Sequence, residues 1–297
     1  MRFSIKTILL VWAVFSPFRE STAQSFYSQN LHLSPKTILL GHVNFSKNSN
    51  SNFEILANAA LIDTNKNSDI TFATKSIGIT KAFASAYGFN LKKHRIIVGL
   101  ASVPFGSING YDASGVATNT FNPNLASFNL ASAHQIGAFT FGLSSNLSLA
   151  NIQSYRYVAS TINLSGLYVN NQQNFTVGWN INQVPIFIKS FGISHTIQPN
   201  IIVGGSLSPR YVPLRIHLSL FDILAKNYKK NFNLGIEILP SKPFSVLCGF
   251  DNAAINKVRI GIMIKKSNFV LTTGTELGPI NSQVLSISYS IKNHKSN

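Results

Sequence analysis

The chain has one cysteine in 297 residues, Cys248, so no intramolecular disulfide can form and the small disulfide-stapled secreted folds are excluded. A single Cys on a strand reads as a packing residue. Charge is also scarce. Asp, Glu, Lys and Arg make up 11% of the chain, about half the ~25% usual in globular proteins. From Ala113 to Tyr155 none of the four occurs. Long apolar runs are missing after Phe18, because Asn, Ser, Thr, Gly and Pro interrupt every hydrophobic stretch. That excludes a membrane-spanning helix, which needs roughly 20 apolar residues. Helical periodicity is nearly absent. The one candidate is short, from Asn52 to Asp63, where Phe53, Ile55, Leu56, Ala59 and Ala60 follow helical spacing.

What is present begins with an export signal. Arg2 and Lys6 precede the apolar run from Thr7 to Phe15, and Ser21-Thr22-Ala23 puts small residues at a cleavage site before Gln24. Residues 1–23 therefore read as a cleaved signal peptide and 24–297 as one mature domain, a length that all-β barrels commonly reach. The alternatives for the first segment are an uncleaved anchor or a buried helix.

The mature part alternates with period two. Leu285, Ile287, Tyr289 and Ile291 alternate with Ser286, Ser288 and Ser290, and Val258, Ile260, Ile262 and Ile264 with Arg259, Gly261, Met263 and Lys265. Phe232, Leu234, Ile236 and Ile238 alternate with Asn231, Asn233, Gly235 and Glu237, and Phe175, Val177, Trp179 and Ile181 with Thr176, Gly178 and Asn180. Phe139, Phe141, Leu143, Ser145 and Leu147 form one face of another strand, and a run opened by Ile77 and Ile79 continues through Phe83, Tyr87 and Phe89. Further strands are expected at 68–74, 95–103, 126–134, 158–168, 185–194, 200–208, 213–221, 244–251 and 268–276. The total is about fourteen, within two. Asn109-Gly110, Asn122-Pro123-Asn124, 170–174, Ser241-Lys242-Pro243 and Gly278-Pro279 are loop signals between them.

A soluble antiparallel sandwich also alternates, with its polar face in water. Such a face normally carries Lys and Glu, whereas this chain puts Ser, Asn, Thr and Gly there. The 22 Phe and 9 Tyr suit the aromatic belts of a membrane barrel. The fold expected is thus an all-β, antiparallel transmembrane β-barrel of about 14 strands, with a short N-terminal helical segment.

No catalytic, cofactor-binding or metal-binding constellation emerges. His32, His42, His94, His134, His195, His217 and His294 lack ligand spacing, and no Cys pair joins them. Glu54, Asp63, Asp69, Asp112, Asp222, Glu237, Asp251 and Glu276 are scattered, most of them near expected turns. Phosphate-binding glycine loops and nucleophile elbows are absent. The formal net charge is +16, and loss of residues 1–23, with three basic residues and one acid, leaves +14. The basic residues are not organised for nucleic acid. They fall in short segments, 92–95, 226–230 and 265–266, suited to strand ends near lipid phosphates. Arg259 and Lys265 are candidates to line a lumen.

Four pieces of the chain resemble one family. Asn58-Ala59-Ala60-Leu61-Ile62 resembles the "N-P-A-L-L" segment near the start of the PorQ family, with Ala59 in place of Pro. Phe105-Gly106-Ser107-Ile108-Asn109-Gly110-Tyr111-Asp112-Ala113-Ser114-Gly115, leading to Thr120-Phe121, resembles its "YGDF-x-G-x-DE-x-G…GTF" loop. Phe232 to Phe244 is similar to its "G-V-E-F-L-P-x-K-x-F" strand–turn–strand, and Pro213 to Leu220 to the strand before it. The pieces are collinear over residues 35–290. PorQ proteins, akin to PorV, are fatty-acid-transporter-like outer-membrane barrels of the type IX secretion system of Bacteroidota. The resemblance implies a non-enzymatic scaffold without cofactors, in contact with outer-membrane lipid and lipopolysaccharide, a PorZ-like surface partner and PorV/PorU-like subunits. Two other readings of the residues remain open here: a transport barrel for hydrophobic solutes, and a soluble secreted sandwich or adhesin.

Overall fold

The computed structural model describes residues 33–41, 45–46, 51–63, 67–78, 80–91, 94–111, 114–152, 155–172, 174–191, 197–221, 231–241, 243–251, 257–278 and 281–291. The signal segment and the 226–230 basic cluster lie outside them. Fourteen antiparallel strands close into one barrel. In chain order they are β1 (Asp69–Ile77), β2 (Thr80–Leu91), β3 (His94–Pro104), β6 (Asn124–Ile136), β7 (Phe139–Ile152), β8 (Tyr155–Asn170), β9 (Phe175–Phe191), β10 (Asn200–Leu207), β11 (Leu214–Phe221), β12 (Asn231–Ser241), β13 (Phe244–Asp251), β14 (Lys257–Lys266), β15 (Phe269–Leu277) and β16 (Ser282–Ser290). β1 pairs with β16, which removes both sheet edges. The remaining strands, β4 (Ile108–Tyr111) and β5 (Ala117–Phe121), form a separate hairpin between β3 and β6.

The alternation resolves into an outer and an inner wall. On β14, Val258, Ile260, Ile262 and Ile264 face out, while Arg259, Gly261 and Met263 are buried in the lumen. β16 likewise turns Leu285, Ile287 and Tyr289 outward and Ser282, Val284, Ser286 and Ser288 inward. Rings gather at both rims of the outer wall. One rim carries Phe139 and Tyr168 with centroids 4.9 Å apart and Phe269 and Tyr289 at 5.2 Å; the other has Phe232 and Phe250 at 6.2 Å. Two aromatic girdles around an apolar band are the outer surface of a transmembrane barrel. A bilayer-facing Cys248, opposite Ile236 and Ile260, follows from this register. We expect a lipid-soluble maleimide to label Cys248 in proteoliposomes and a membrane-impermeant one to leave it unmodified; equal labelling by both would reject the outward register.

The two ends differ. Connections at the end where β1 begins and β16 ends span at most six residues, as between β10 and β11. The opposite end carries the β4–β5 hairpin and the long connections after β9 and β11.

Several sequence expectations change. Residues 175–181 and 185–194 are not two strands but one, β9, which bulges at Gln183 (φ 62°), where the Gln183 N–H donates to Asn163 Oδ1 at 2.7 Å. The bulge lets Pro185, which has no N–H to give, sit within a strand. Ile77 ends β1 rather than opening β2, and Ile79 is outside the described residues. Asn109-Gly110 lies inside β4 at an irregularity in its pairing with β5, where a Cβ on Gly110 would meet Thr118 Oγ1 at 2.4 Å. The helical segment is shorter than expected and broken. One α-helix covers Asn52–Ala57, Asn58 is extended, and a 3-10 turn covers Ala59–Leu61. A second helix, Pro35–Leu39, precedes it, opened by Ser34 accepting from the Thr37 N–H and by Pro35 in its first turn. These are α1 (Pro35–Leu39) and α2 (Asn52–Ala57) below.

Candidate functional site: a lumen filled by the chain's own N-terminal segment

A barrel of fourteen strands is wider than side chains alone fill; eight strands are filled that way and sixteen leave an aqueous channel. Here residues 33–41, 45–46 and 51–62 occupy the interior. Ile38, Leu39 and Leu40 are fully buried and pack on Leu247, Met263 and Val284 of β13, β14 and β16. Ile55, Ala59, Ala60 and Leu61 pack on Ile97, Ala131, Ala133 and Leu167 of β3, β6 and β8. Burying each large aliphatic side chain is worth ~1.5–3 kcal/mol.

Inward glycines make the room. A Cβ on Gly249 would lie 2.4 Å from Leu39 O and 2.5 Å from Gly41 N, one on Gly235 2.6 Å from Leu40 O, and one on Gly142 2.3 Å from Ala60 N. The wall also completes the hydrogen bonds that short helices leave open. Asn52 Nδ2 donates to Asp69 O at 3.1 Å, the Ala60 N–H donates to Ser165 Oγ at 3.0 Å, and Asn180 Nδ2 donates to Ala57 O at 2.8 Å. Thr176 Oγ1 donates to Phe45 O.

Two carboxylate-centred networks complete the interior. Glu237 on β12 is 3.3 Å from Lys36 Nζ of α1, 2.9 Å from Arg215 on β11 and 3.8 Å from His217, so the plug is ion-paired to the wall. Near the long-loop end, Glu276 on β15 meets Arg259 on β14 at 2.8 Å and Lys75 on β1 at 2.5 Å, and accepts from Ser282 on β16; Arg259 also reaches Asp251 on β13 at 3.2 Å. This second network crosses the seam where the first and last strands close the barrel. Near the short-turn end, Arg95 pairs with Asp69.

These placements correct the reading of the acids. Asp69, Asp251 and Glu276 do stand at strand ends next to turns, but with Glu237 they are not scattered; all four face the lumen and are paired. Arg95, expected at the membrane interface, is fully buried inside; Lys92 and Lys93 are outside the described residues. Arg259 and Lys265 do face the lumen. Among the described residues no cluster of three or more His, Cys, Asp or Glu could hold a metal ion. The signal the sequence carried for the plug was the recurrence of Gly on the polar face of strand after strand.

No protein-family model matches the chain, and neither does any curated protein. Solved structures do. The toluene transporter TodX of Pseudomonas putida aligns with a TM-score of 0.61 at 9% identity, covering 86% of this chain and 97% of that one. CymD, a monoaromatic hydrocarbon channel, aligns at 0.59 and 10% identity, covering 88% and 98%. At this identity the likeness concerns the fold alone, a fourteen-stranded antiparallel transmembrane barrel.

Proposed function

We propose that the protein is a plugged outer-membrane barrel serving as a non-enzymatic scaffold subunit of the type IX secretion system, of the PorQ type. The observation that carries this reading is that the chain's own segments 33–41 and 51–62 pack inside the lumen, which leaves the long-loop end as the working surface. Barrels of the outer membrane keep short turns in the periplasm and longer loops outside, so the β4–β5 hairpin projects from the cell. Its exposed Ile108, Tyr111 and Val116 offer apolar contact to a PorZ-like partner. Export by the N-terminal signal and the collinear PorQ-like pieces support the same reading.

A second reading, a transport barrel for hydrophobic solutes, draws on the apolar inner lining of β2, β3, β6 and β8, with Ala82, Ala84, Val103, Leu125 and Tyr157, and on the fold shared with hydrocarbon channels. Deletion separates the two. The scaffold reading expects loss of cargo from the cell surface and co-purification of type IX subunits with the tagged barrel, both weakened by Tyr111→Ala with Val116→Asp. Normal cargo attachment with loss of hydrophobic-solute uptake would replace it by the transport reading.

A further inference from the structure

Among the described residues the outer wall of the strands is charged with one sign only. All four acids on the described barrel strands point inward, whereas Lys81, Arg156, Lys189 and Lys266 stand exposed on the outside. Exposed cations without carboxylates to pair with suit a surface facing lipid phosphates.

Beneath two of these cations the wall is furrowed. Across β16, β1, β2, β3, β6 and β7 the outward positions Thr74, Ser85, Ser102 and Ala126 are small, and bulky Phe83, Phe128, Leu149 and Leu285 stand between and beside them. The depression encloses about 730 Å³ and is almost wholly apolar, within the ~300–1,000 Å³ of ligand sites. Six adjacent strands span roughly 24 Å, wider than one acyl chain needs. Lys81 lies two residues beyond Phe83, roughly 7 Å nearer the long-loop end. Arg156 pairs with Asn151, two residues beyond Leu149. Lys81 and Arg156 are four strand spacings apart, roughly 19 Å. Between them lie the outward amides of Asn124 and Asn151, with Asn124 Oδ1 accepting from Ser102 Oγ at 3.2 Å.

We propose that this wall is a binding site for a phosphorylated, multiply acylated glycolipid of the outer leaflet. Its acyl chains lie in the furrow and its phosphates on Lys81 and Arg156. The width of the furrow and the spacing of the cations favour a lipid with several chains and more than one phosphate over a single-headed phospholipid. The inference rests on the outer-membrane reading above.

The test uses purified full-length barrel in detergent with hexa-acylated bisphosphorylated lipid A, and the same lipid dephosphorylated, as probes, retained lipid being counted by native mass spectrometry. Wild type is expected to retain the phosphorylated form preferentially. Lys81→Gln and Arg156→Gln should each lower that retention roughly fivefold. Ser85→Phe with Ala126→Phe, which fills the furrow, should abolish retention of both forms, while Lys266→Gln at the opposite rim leaves it unchanged. Equal retention of the two lipids by wild type, or wild-type retention in the furrow and cation variants while their barrels stay folded by heat-dependent gel migration, overturns the proposal. Recovery of the protein in the soluble fraction of cells would instead overturn the membrane reading on which it rests.

Discussion

Gly249→Val is expected to unseat the plug and turn a closed barrel into a conducting one. The methyl groups have nowhere to go, because even a Cβ would sit 2.4 Å from Leu39 O and 2.5 Å from Gly41 N, and both are backbone atoms. Overpacking in a close-packed interior costs ~1–3 kcal/mol, and more where backbone must move. The barrel itself has an alternative that a globular core lacks. Its strand ladder closes on itself through β1 and β16, so the wall can persist while α1 leaves. Gly142→Val should do the same from the other side of the lumen, against Ala60. In planar bilayers wild type should be silent and both variants should show steady ion conductance, with heat-dependent gel migration retained. Silent variants would mean that segments 33–41 and 51–62 seat elsewhere.

Glu237→Gln should loosen the plug by ~3–5 kcal/mol, the usual cost of removing one partner of a buried ion pair. Glu237 is the shared anion for Lys36 of the plug and for Arg215 of the wall, so neutralising it leaves two cations inside the barrel without their carboxylate. Lys36→Met is expected to be much milder, because Glu237 keeps Arg215 at 2.9 Å. The double variant Lys36→Met with Glu237→Gln should recover part of the loss, and the cycle measures the coupling directly. The readout is the rate of proteolysis of the N-terminal segment in the intact barrel. Equal rates in all four proteins would show that Glu237 does not hold α1.

The architecture was legible because a barrel wall is a local pattern. Each residue of β14 or β16 declares its side by its own polarity, and the low charge with Ser, Asn and Gly opposite Ile and Phe separates a membrane wall from a soluble one. One strand was split in two in the pattern, 175–181 and 185–194, because alternation lapses between them; the bulge at Gln183 carries the ladder through and lets Pro185 sit inside β9. α1 was missed because five residues hold too little periodicity to be seen, although Ser34-Pro35 is a helix-start signal.

Alternation and strand number follow from neighbours along the chain, so a transmembrane barrel of about fourteen strands is already written in one dimension. What the barrel contains depends instead on contacts between distant parts of the chain. Lys36 and Glu237 are 201 positions apart and Ala60 and Gly142 are 82 apart, and no local rule joins a Gly on one strand to the segment that needs its missing side chain. Lumen acids look scattered in one dimension because the barrel gathers them by closing, and closure is a property of all fourteen strands together.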